Sequence, residues 1–439
     1  MMDKTKLKEV LNAWNFWTKE LDIEKKRDAK YFQKIQSFLK SNFVIVITGP
    51  RRSGKSVLIR QFAKDLIEKG INKREILIVN FEDYRFEKLN LSLLEQCYNL
   101  FKEEIFIGKK PLIFLDEVHK VKNWEKFVRT LHELKEAKLF ISGSTSKIIS
   151  DKLGSILTGR HLDIFVLPLD FKEFLSFKKI KISDELSILS QKEMIKRNFL
   201  EYLEFGGFPE VVLSDNKSEI LINYFSDILN KDIVEKYRIK EIAKLKSIAR
   251  FYLSNIGSHV SFNGVGKWLE ENVSTVSRFS YYFEEVYLLY FLKRFSFKVK
   301  EQEKSQRKVY AFDIGLANAL GFEFSTGKGK IYENLVLLSL LRRKSSNLDI
   351  EFFYWQDINQ NEVDFIIKEK RKIVQLIQVC YDIENSKTKE RELKALQKAS
   401  KELKCNNLLV ITDDKEGEEK IKNKKIKYVP LWKWLLQEK

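Results

Sequence analysis

A glycine-bracketed loop carries the residues with the clearest chemistry. The segment GPRRSGKS at 49–56 matches the pattern GxxxxGK[ST], and it lies between an apolar run and a helical pattern. Such glycines let backbone N–H groups surround a phosphate, while the lysine reaches the β- and γ-phosphates and the hydroxyl holds Mg²⁺. The nucleotide-binding residues predicted here are Gly49, Pro50, Arg51, Arg52, Ser53, Gly54, Lys55, Ser56 and Val57.

An acidic pair follows a second apolar run. The segment LIFLDE at 112–117 ends in Asp116 and Glu117. A carboxylate at the end of a buried strand beside a phosphate-binding loop is placed to bind Mg²⁺, and the next one to polarise the attacking water. The metal ligands predicted are therefore Ser56 and Asp116, and Glu117 is the predicted catalytic base.

Two further residues are candidates for sensing the γ-phosphate. Ser144 ends the apolar run KLFISGS, and Arg160 stands in the turn LTGR. We predict that Ser144 contacts the γ-phosphate, with a simple helix N-cap as the alternative. Arg160 is predicted to act as an arginine finger toward a neighbouring subunit, with a structural or DNA-facing arginine as the alternative.

The elements around these residues alternate between strand and helix. Residues 3–40 are helical in pattern, and the next 130 residues or so alternate. Apolar runs predict strands at 43–48, 76–81, 111–117 and 138–144, and periodic segments predict helices at 55–69, 93–106 and 124–136. This alternation predicts a parallel α/β sheet with crossover helices.

The middle of the chain has a different pattern. Residues 171–240 read as helices, and residues 241–325 as three helices followed by a hairpin. That order fits a winged helix, whose last helix would place short polar residues and an arginine against DNA while the hairpin meets phosphate. The candidate DNA contacts are Ser274, Thr275, Ser277, Arg278, Lys298, Lys300, Lys304, Arg307 and Lys308. Winged helices also mediate protein contacts or form ATPase lids, so those alternatives stay open.

These motifs together resemble a known family. Residues 43–240 resemble the AAA+-related P-loop ATPases common in archaea, through the P-loop, LDEVHKV, ISGST, LTGR, FVLPLDFKEF and YLEFGGFPEVV. The resemblance implies ATP and Mg²⁺ as cofactors, a helical lid, and a contact between Pro209 and the adenine base. From the residues alone, the Gly-Gly-x-Pro segment predicts only a tight turn that ends a helix.

The C-terminal part resembles the restriction-endonuclease-like domain of the same family. Active members use a helical Glu, an Asp on a strand, and Glu-x-Lys on the next strand. Glu333 and Asp364 match, whereas Gln378 and Cys380 stand where the second carboxylate and the lysine belong. We therefore predict no nuclease activity. Glu362 is a possible compensating carboxylate, and no nearby residue in the sequence is expected to replace the lysine.

The predicted fold class is α/β: a P-loop parallel-sheet ATPase core with a helical lid, a winged-helix domain and a C-terminal α/β restriction-endonuclease-like domain. The predicted boundaries are an N-terminal helical segment at 1–40, the core at 41–170, the lid at 171–240, the winged helix at 241–325 and the last domain at 326–439.

Composition narrows the class of partner. The 439 residues carry 80 Lys and Arg against 62 Asp and Glu, a formal charge of +18, which favours an anionic partner. Three dispersed cysteines and four histidines predict neither a disulfide framework nor a zinc site. With no signal-peptide pattern and no long apolar run, a cytoplasmic protein is expected.

We predict from the sequence an ATP- and Mg²⁺-dependent ATPase that binds DNA and couples its nucleotide state to DNA binding or remodelling, with homo-oligomers possible. Two alternatives remain. One is an ATP-gated regulatory switch that acts through protein partners, and the other is an ATP-dependent nuclease.

Overall fold

The structure is a computed structural model that describes residues 2–20, 23, 27, 29–144, 159–321, 327–421 and 424–437. It divides into two compact units, Met1–Val166 and Leu167–Lys439. In the part of the chain that is described, no helix is long and apolar enough to cross a membrane.

The first unit is built on a parallel sheet of five strands. The strands are β1 Val44–Thr48, β2 Ile76–Asn80, β3 Leu112–Asp116, β4 Lys138–Gly143 and β5 His161–Phe165. Their order is β2-β3-β4-β1-β5, and every pairing is parallel. Because parallel strands end at one edge, the residues that follow β1, β3 and β4 lie together at the carboxyl edge. The predicted α/β class with a parallel-sheet core is confirmed.

Helices cover this sheet. They are α1 Lys4–Trp14, α2 Ala29–Ser37, α3 Lys55–Glu68, α4 Leu91–Leu100 and α5 Trp124–Glu133. Four predicted strands are found within a residue or two of their bounds, but β5 was missed because its five residues alternate in polarity and are only partly buried. The predicted helix over 93–106 changes at Phe101 into a π-helical turn, Phe101–Ile105.

The N-terminal segment is not one helix. The α1 helix ends at Trp14, and Asn15 follows it in an extended conformation. The side chain of Asn15 is fully buried and pairs with both backbone groups of Ile78, at 2.7 Å and 2.8 Å. This side chain satisfies backbone groups at the edge strand β2, which explains why the helical pattern is interrupted there.

The second unit begins with helices and a small antiparallel sheet. Its helices before residue 321 are Phe171–Phe177, Glu185–Ser190, Lys192–Phe205, Pro209–Leu213, Lys217–Asp227, Glu235–Tyr237, Ile242–Ser254, Phe262–Leu269, Val273–Glu285, Val299–Lys304 and Ile314–Leu320, with a π-helical segment at Ile228–Val234. The strands are β6 His259–Val260, β7 Leu289–Leu292 and β8 Arg307–Ala311. Their order is β6-β8-β7, so β8 is the central strand.

A six-stranded mixed sheet follows in the same unit. Its strands are β9 Ile350–Gln356, β10 Glu362–Glu369, β11 Lys372–Val379, β12 Leu408–Thr412, β13 Gly417–Ile421 and β14 Lys424–Pro430. Its helices are Lys328–Ser346, Ser386–Glu402 and Leu431–Gln437. The order is β13-β14-β12-β11-β10-β9. From residue 326 onward the sequence pattern predicts a helix, three strands, a helix, two strands and a helix, so the exposed, charged edge strand β13 was missed. Short charged edge strands carry little apolar pattern.

Candidate functional site

The loop after β1 has the backbone that phosphate binding requires. Gly49 has φ +148° and Gly54 has φ +95°, and a Cβ at Gly49 would lie 2.0 Å from the carbonyl oxygen of Val166. Only glycine therefore fits at position 49. Arg52 also has a positive φ, 68°. The α3 helix starts at Lys55, so its N-terminal N–H groups face the loop.

The ammonium group of Lys55 lies inside this loop. It donates to the carbonyl oxygens of Gly49 at 3.1 Å and Pro50 at 3.0 Å, and it lies 3.7 Å from Glu117 Oε1. The side chain is buried. The predicted P-loop lysine and the predicted catalytic base, 62 residues apart in sequence, are thus neighbours at the carboxyl edge of the sheet.

Asp116 is held by a serine that the sequence analysis did not single out. The Ser142 hydroxyl donates to Asp116 Oδ1, and it accepts the backbone N–H of Glu117 at 2.9 Å. Burial and the adjacent charge of Glu117 raise the pKa of Asp116 to about 6, against hydrogen bonds from Ser142 and Ser56. The sequence signal was the polar residue at 142 inside an apolar strand, one strand away from Asp116.

Glu117 and Ser144 occupy the same edge. Glu117 has a left-handed backbone, φ 53°, directly after β3, and its Oε2 lies 3.3 Å from His119 Nδ1. Ser144 is buried at the end of β4. Within the described ranges, the hydroxyls of Ser53 and Ser144 have no hydrogen-bond partner. Buried polar groups are usually paired, so two such hydroxyls beside a P-loop are typical of a ligand site.

A buried arginine outside the motifs supports the loop. Arg27 Nη1 donates to the carbonyl oxygen of Ser53 at 2.8 Å, and its backbone N–H donates to Gln61 Oε1 at 3.1 Å. Arg27 also packs over the Tyr31 ring. No pattern in the sequence marks this residue, because it joins the loop from a segment before β1. On the outer side of the loop, Arg51 lies 3.3 Å from Glu82.

The other predicted nucleotide contacts are distributed over both units. Arg160 is exposed just before β5, and Thr145 and 146–158, including part of LTGR, lie outside the described residues. Pro209 is the first residue of the helix Pro209–Leu213 in the second unit. The roles of Arg160 and Pro209 stay predictions.

The Gly-Gly-x-Pro segment does form the expected tight turn. Gly206 ends the helix Lys192–Phe205 with φ 72°, and Gly207 donates its N–H to Asp313 Oδ2 at 2.8 Å. A Cβ on Gly206 would lie 2.2 Å from Asp313 Oδ1. Asp313 also caps the helix Ile314–Leu320 through the N–H of Gly315. Burial raises the pKa of Asp313 to about 7, against these backbone hydrogen bonds.

The candidate DNA-contacting helix is Val273–Glu285. Its apolar side chains Val276, Phe279 and Phe283 are buried, as is Val286 directly after the helix. Ser274 and Arg278 are exposed, Thr275 and Ser277 are half-buried, and Arg278 lies 3.5 Å from Glu241. The helix therefore presents its polar N-terminal half to solvent.

The predicted wing differs from a simple hairpin. The stretch between β7 and β8 contains the helix Val299–Lys304, and Glu301 in it lies 3.1 Å from Lys298. Lys298, Lys300 and Lys304 are exposed. Arg307 is half-buried and lies 3.7 Å from Glu303.

Lys308 corrects the sequence analysis twice. It was expected to meet DNA phosphate, but it is 2% exposed on the central strand β8 and cannot reach a surface ligand. No lysine was expected near Glu333 and Asp364, yet Lys308 Nζ contacts Glu333 Oε1 and lies 3.1 Å from Asp364 Oδ1. Sequence reasoning missed it because the cation comes from a different sheet.

The four residues of the nuclease-like pattern are only partly brought together. Glu333 and Asp364 meet around the buried Lys308 ammonium, and Gln378 Nε2 donates to Asp364 Oδ2 at 2.9 Å. Cys380 packs in the apolar core of the sheet, and burial raises the pKa of its thiol to about 12. Burial and the charge of Asp364 raise the pKa of Glu333, while the ammonium of Lys308 acts to lower it.

Three family models match the chain. Residues 41–175 match an AAA domain, residues 196–327 match a domain of unknown function, DUF8612, and residues 328–434 match another, DUF4143. The first match contains the P-loop and the acidic pair. The last contains Glu333, Asp364, Gln378 and Cys380.

Relatives match over most of the chain. An uncharacterized protein of Methanocaldococcus jannaschii is 38% identical over 95% of this chain and 93% of its own length. An uncharacterized protein of Haemophilus influenzae is 31% identical over 80% of this chain and 86% of its own. Among solved structures, a Walker-type ATPase of Pyrococcus abyssi is similar with a TM-score of 0.44 and 12% identity, covering 69% of this chain and 99% of the other.

Proposed function

We propose a function from one premise: the chain belongs to the family of P-loop ATPases that join an AAA domain to a C-terminal DUF4143 domain. The protein binds ATP with Mg²⁺ at the carboxyl edge of the first sheet and hydrolyses the bond between the β- and γ-phosphates. The observation that carries this proposal is the meeting of Lys55, Asp116 and Glu117 at one buried edge.

Each residue has a task that its position supports. The P-loop N–H groups and the start of α3 bind the phosphates, and Lys55 exchanges its loop carbonyls for the β- and γ-phosphate oxygens. Glu117 accepts a proton from the attacking water. Ser144, with a buried hydroxyl that lacks a partner among the described residues, donates to the γ-phosphate.

The donor set fits Mg²⁺. A carboxylate and a hydroxyl are hard oxygen ligands of the kind that Mg²⁺ takes together with phosphate oxygens and water. Ser56 and Asp116 would hold the ion, and the Ser56 hydroxyl is among the groups that act to lower the pKa of Asp116. The ion would neutralise charge that develops on the phosphate oxygens. Ser142 keeps Asp116 in position for this contact.

Steady-state hydrolysis of ATP by the full chain, with Mg²⁺ and with a chelator, tests the proposal. We expect Mg²⁺-dependent turnover that Lys55→Ala lowers by at least about 100-fold, because a charged donor to the transferring phosphate is lost. Lys69→Ala removes an exposed charge from the end of the same helix and serves as the control. Equal turnover in wild type and Lys55→Ala would contradict the assignment.

We also propose that the second unit binds nucleic acid. Its candidate surface is a groove of about 610 Å³ lined by Arg294, Phe295, Phe297, Lys298, Lys300 and Lys304, among others. Phe297 is 77% exposed. Basic residues beside an exposed aromatic ring suit single strands, since phosphates meet the charges and a base stacks on the ring. The acidic Glu301 and Glu402 also line the groove and weaken its field.

Fluorescence anisotropy with labelled single- and double-stranded DNA at several salt concentrations tests this second proposal. Lys300→Ala and Lys304→Ala should each reduce the salt slope by about 1, and Phe297→Ala should weaken single-strand binding most. Lys425→Ala, which removes an exposed charge from β14, is the control. Absence of DNA binding at low salt would favour the switch that acts through protein partners.

The same samples address coupling and cleavage. If nucleotide state is coupled to DNA, the ATPase rate should rise with DNA in a salt-sensitive way. Cleavage of the labelled DNA with Mg²⁺ would establish the nuclease alternative instead.

A further inference from the structure

A charge cluster joins two sheets of the second unit, and in it Lys308, Glu333 and Asp364 are buried while Glu362 is half-buried. Lys308 Nζ lies 2.8 Å from Glu362 Oε1 and 3.1 Å from Asp364 Oδ1, and it also contacts Glu333 Oε1. The two carboxylates on β10 and the one on the helix Lys328–Ser346 thus surround a single ammonium. A lysine has three N–H donors, and here each has a carboxylate oxygen.

The small antiparallel sheet places Lys308 there. Side chains two residues apart on a strand share a face, so Lys308 and Tyr310 of β8 point the same way. The Tyr310 hydroxyl donates to Glu333 Oε1 as well. His259, which pairs with Lys308 across the sheet, lies 2.9 Å from Glu362 Oε2. One sheet therefore supplies three cationic or donor groups to carboxylates that the other elements carry.

The remaining carboxylate oxygen of Asp364 also accepts hydrogen bonds from the chain. Asp364 Oδ2 accepts Gln378 Nε2 and the backbone N–H of Val379, both at 2.9 Å. Gln378 Nε2 also donates to Glu392 Oε2 at 2.6 Å. The amide thus turns its nitrogen toward the carboxylates, whereas a metal ion would require its oxygen. Within the described ranges, no group of three or more His, Cys, Asp or Glu side chains is arranged to hold a metal ion.

We propose that the Lys308 ammonium takes the place of a divalent cation among Glu333, Glu362 and Asp364, so that these carboxylates form a latent metal site closed by the chain's own lysine. Removal of this one ammonium would leave three carboxylates with excess negative charge in a buried space. A hard divalent cation such as Mn²⁺ or Mg²⁺ is the ligand class that such an oxygen set takes.

The cost of burying these groups supports the assignment. Isolated buried carboxylates are strongly unfavourable, and a paired cation with complete hydrogen bonding offsets this penalty. Burial acts to lower the pKa of Lys308, but the surrounding carboxylates outweigh it and raise that pKa well above its ordinary value. The lysine therefore stays charged, as a substitute for a metal ion must.

Mn²⁺ binding measured by electron paramagnetic resonance on the full chain tests the proposal. All variants carry Asp116→Asn, so that the P-loop site contributes equally to each. In the protein that keeps Lys308, we expect no bound Mn²⁺ whose binding depends on Asp364. The Lys308→Ala protein should bind one additional Mn²⁺. Adding Asp364→Asn should lower the affinity for this Mn²⁺ by at least about 10- to 100-fold, which is the loss caused by removing a residue that only supports a metal ligand.

Two results would overturn the proposal. One is a bound Mn²⁺ in the Lys308-containing protein that Asp364→Asn removes. The other is a Lys308→Ala protein that is folded by circular dichroism and gains no Mn²⁺. If Lys308→Ala fails to fold, the test rests on the two proteins that keep Lys308, one with Asp364 and one with Asp364→Asn. Mn²⁺ binding that is unchanged by Asp364→Asn supports the closed site, and binding that is lost contradicts it.

Discussion

The P-loop edge and the Lys308 cluster both bring one lysine to buried carboxylates, but they satisfy their polar groups differently. At the P-loop edge, Lys55 lies 3.7 Å from Glu117, and the hydroxyl of Ser144 has no partner among the described residues. In the cluster, the three donors of Lys308 each meet a carboxylate, and both oxygens of Asp364 accept hydrogen bonds.

This difference separates a site that awaits a ligand from one that the chain completes itself. Unpaired buried polar atoms are unfavourable unless a ligand pairs them, so they favour binding. Fully paired buried charges are unfavourable to disturb, so they favour stability and a fixed arrangement. Substitutions at the first region should therefore change activity, and substitutions at the second should change the free energy of unfolding.

The largest expected effect on stability is at Lys308. Lys308→Ala should lower the free energy of unfolding of the second unit by about 3–5 kcal/mol, because uncompensated carboxylates remain buried. Below the unfolding transition, the rate of ATP hydrolysis should be unchanged. Urea unfolding followed by circular dichroism measures the first quantity, and Lys300→Ala is the exposed control. A stable Lys308→Ala protein in metal-free buffer would break the distinction between the two regions.

Substitution of Ser142 should change the ATPase activity more than the free energy of unfolding. Its hydroxyl donates to Asp116 and accepts the N–H of Glu117, so Ser142→Ala removes a hydrogen bond to a charged group worth about 1.5–3 kcal/mol. We expect kcat/KM for ATP to fall about 10- to 100-fold, with a higher Mg²⁺ requirement. Ser144→Ala, which removes no hydrogen bond in the described structure, should lower kcat without changing the Mg²⁺ requirement. An unchanged kcat/KM in Ser142→Ala would refute the positioning role.

Asp313 tests a buried carboxylate that accepts hydrogen bonds from backbone N–H groups. Its folded pKa of about 7 is above the ordinary unfolded value of about 3.9, so the native state holds an extra proton between these values. The free energy of unfolding should therefore fall as pH rises from about 4 to 7, by up to about 1.4 kcal/mol per pH unit from this group. Asp313→Asn should flatten that slope whatever its absolute stability. Unfolding midpoints across this pH range measure it, and equal slopes would contradict the shift.

The P-loop edge could be predicted because its residues lie in contiguous motifs. Lys55 and Asp116 each follow an apolar strand, and parallel strands place their ends at one edge without further information. Ser142 needed the strand order, since only the adjacency of β3 and β4 brings it to Asp116. Arg27 needed the tertiary fold, because no local pattern marks a side chain that supports a loop from a distant segment.

The Lys308 cluster could not be predicted for a related reason. Glu333 and Asp364 were identified through the resemblance to the restriction-endonuclease-like domain, but their cation comes from a strand of another sheet. On the sequence, Lys308 stands beside Arg307 in a basic stretch, which is typical of a solvated face. The alternation of β8 turns one of these neighbours outward and the other into the core. The strands β5 and β13 were missed because they are short and polar.

The most direct test of the central claim is the Glu117→Gln variant, measured for ATP binding and ATP hydrolysis together. The account predicts that ATP binds as in wild type, while turnover falls by about 10²- to 10⁴-fold because the proton acceptor for water is lost. Glu133→Gln, on the exposed face of α5, is the matched control. Hydrolysis at the native rate in Glu117→Gln would contradict the assigned mechanism.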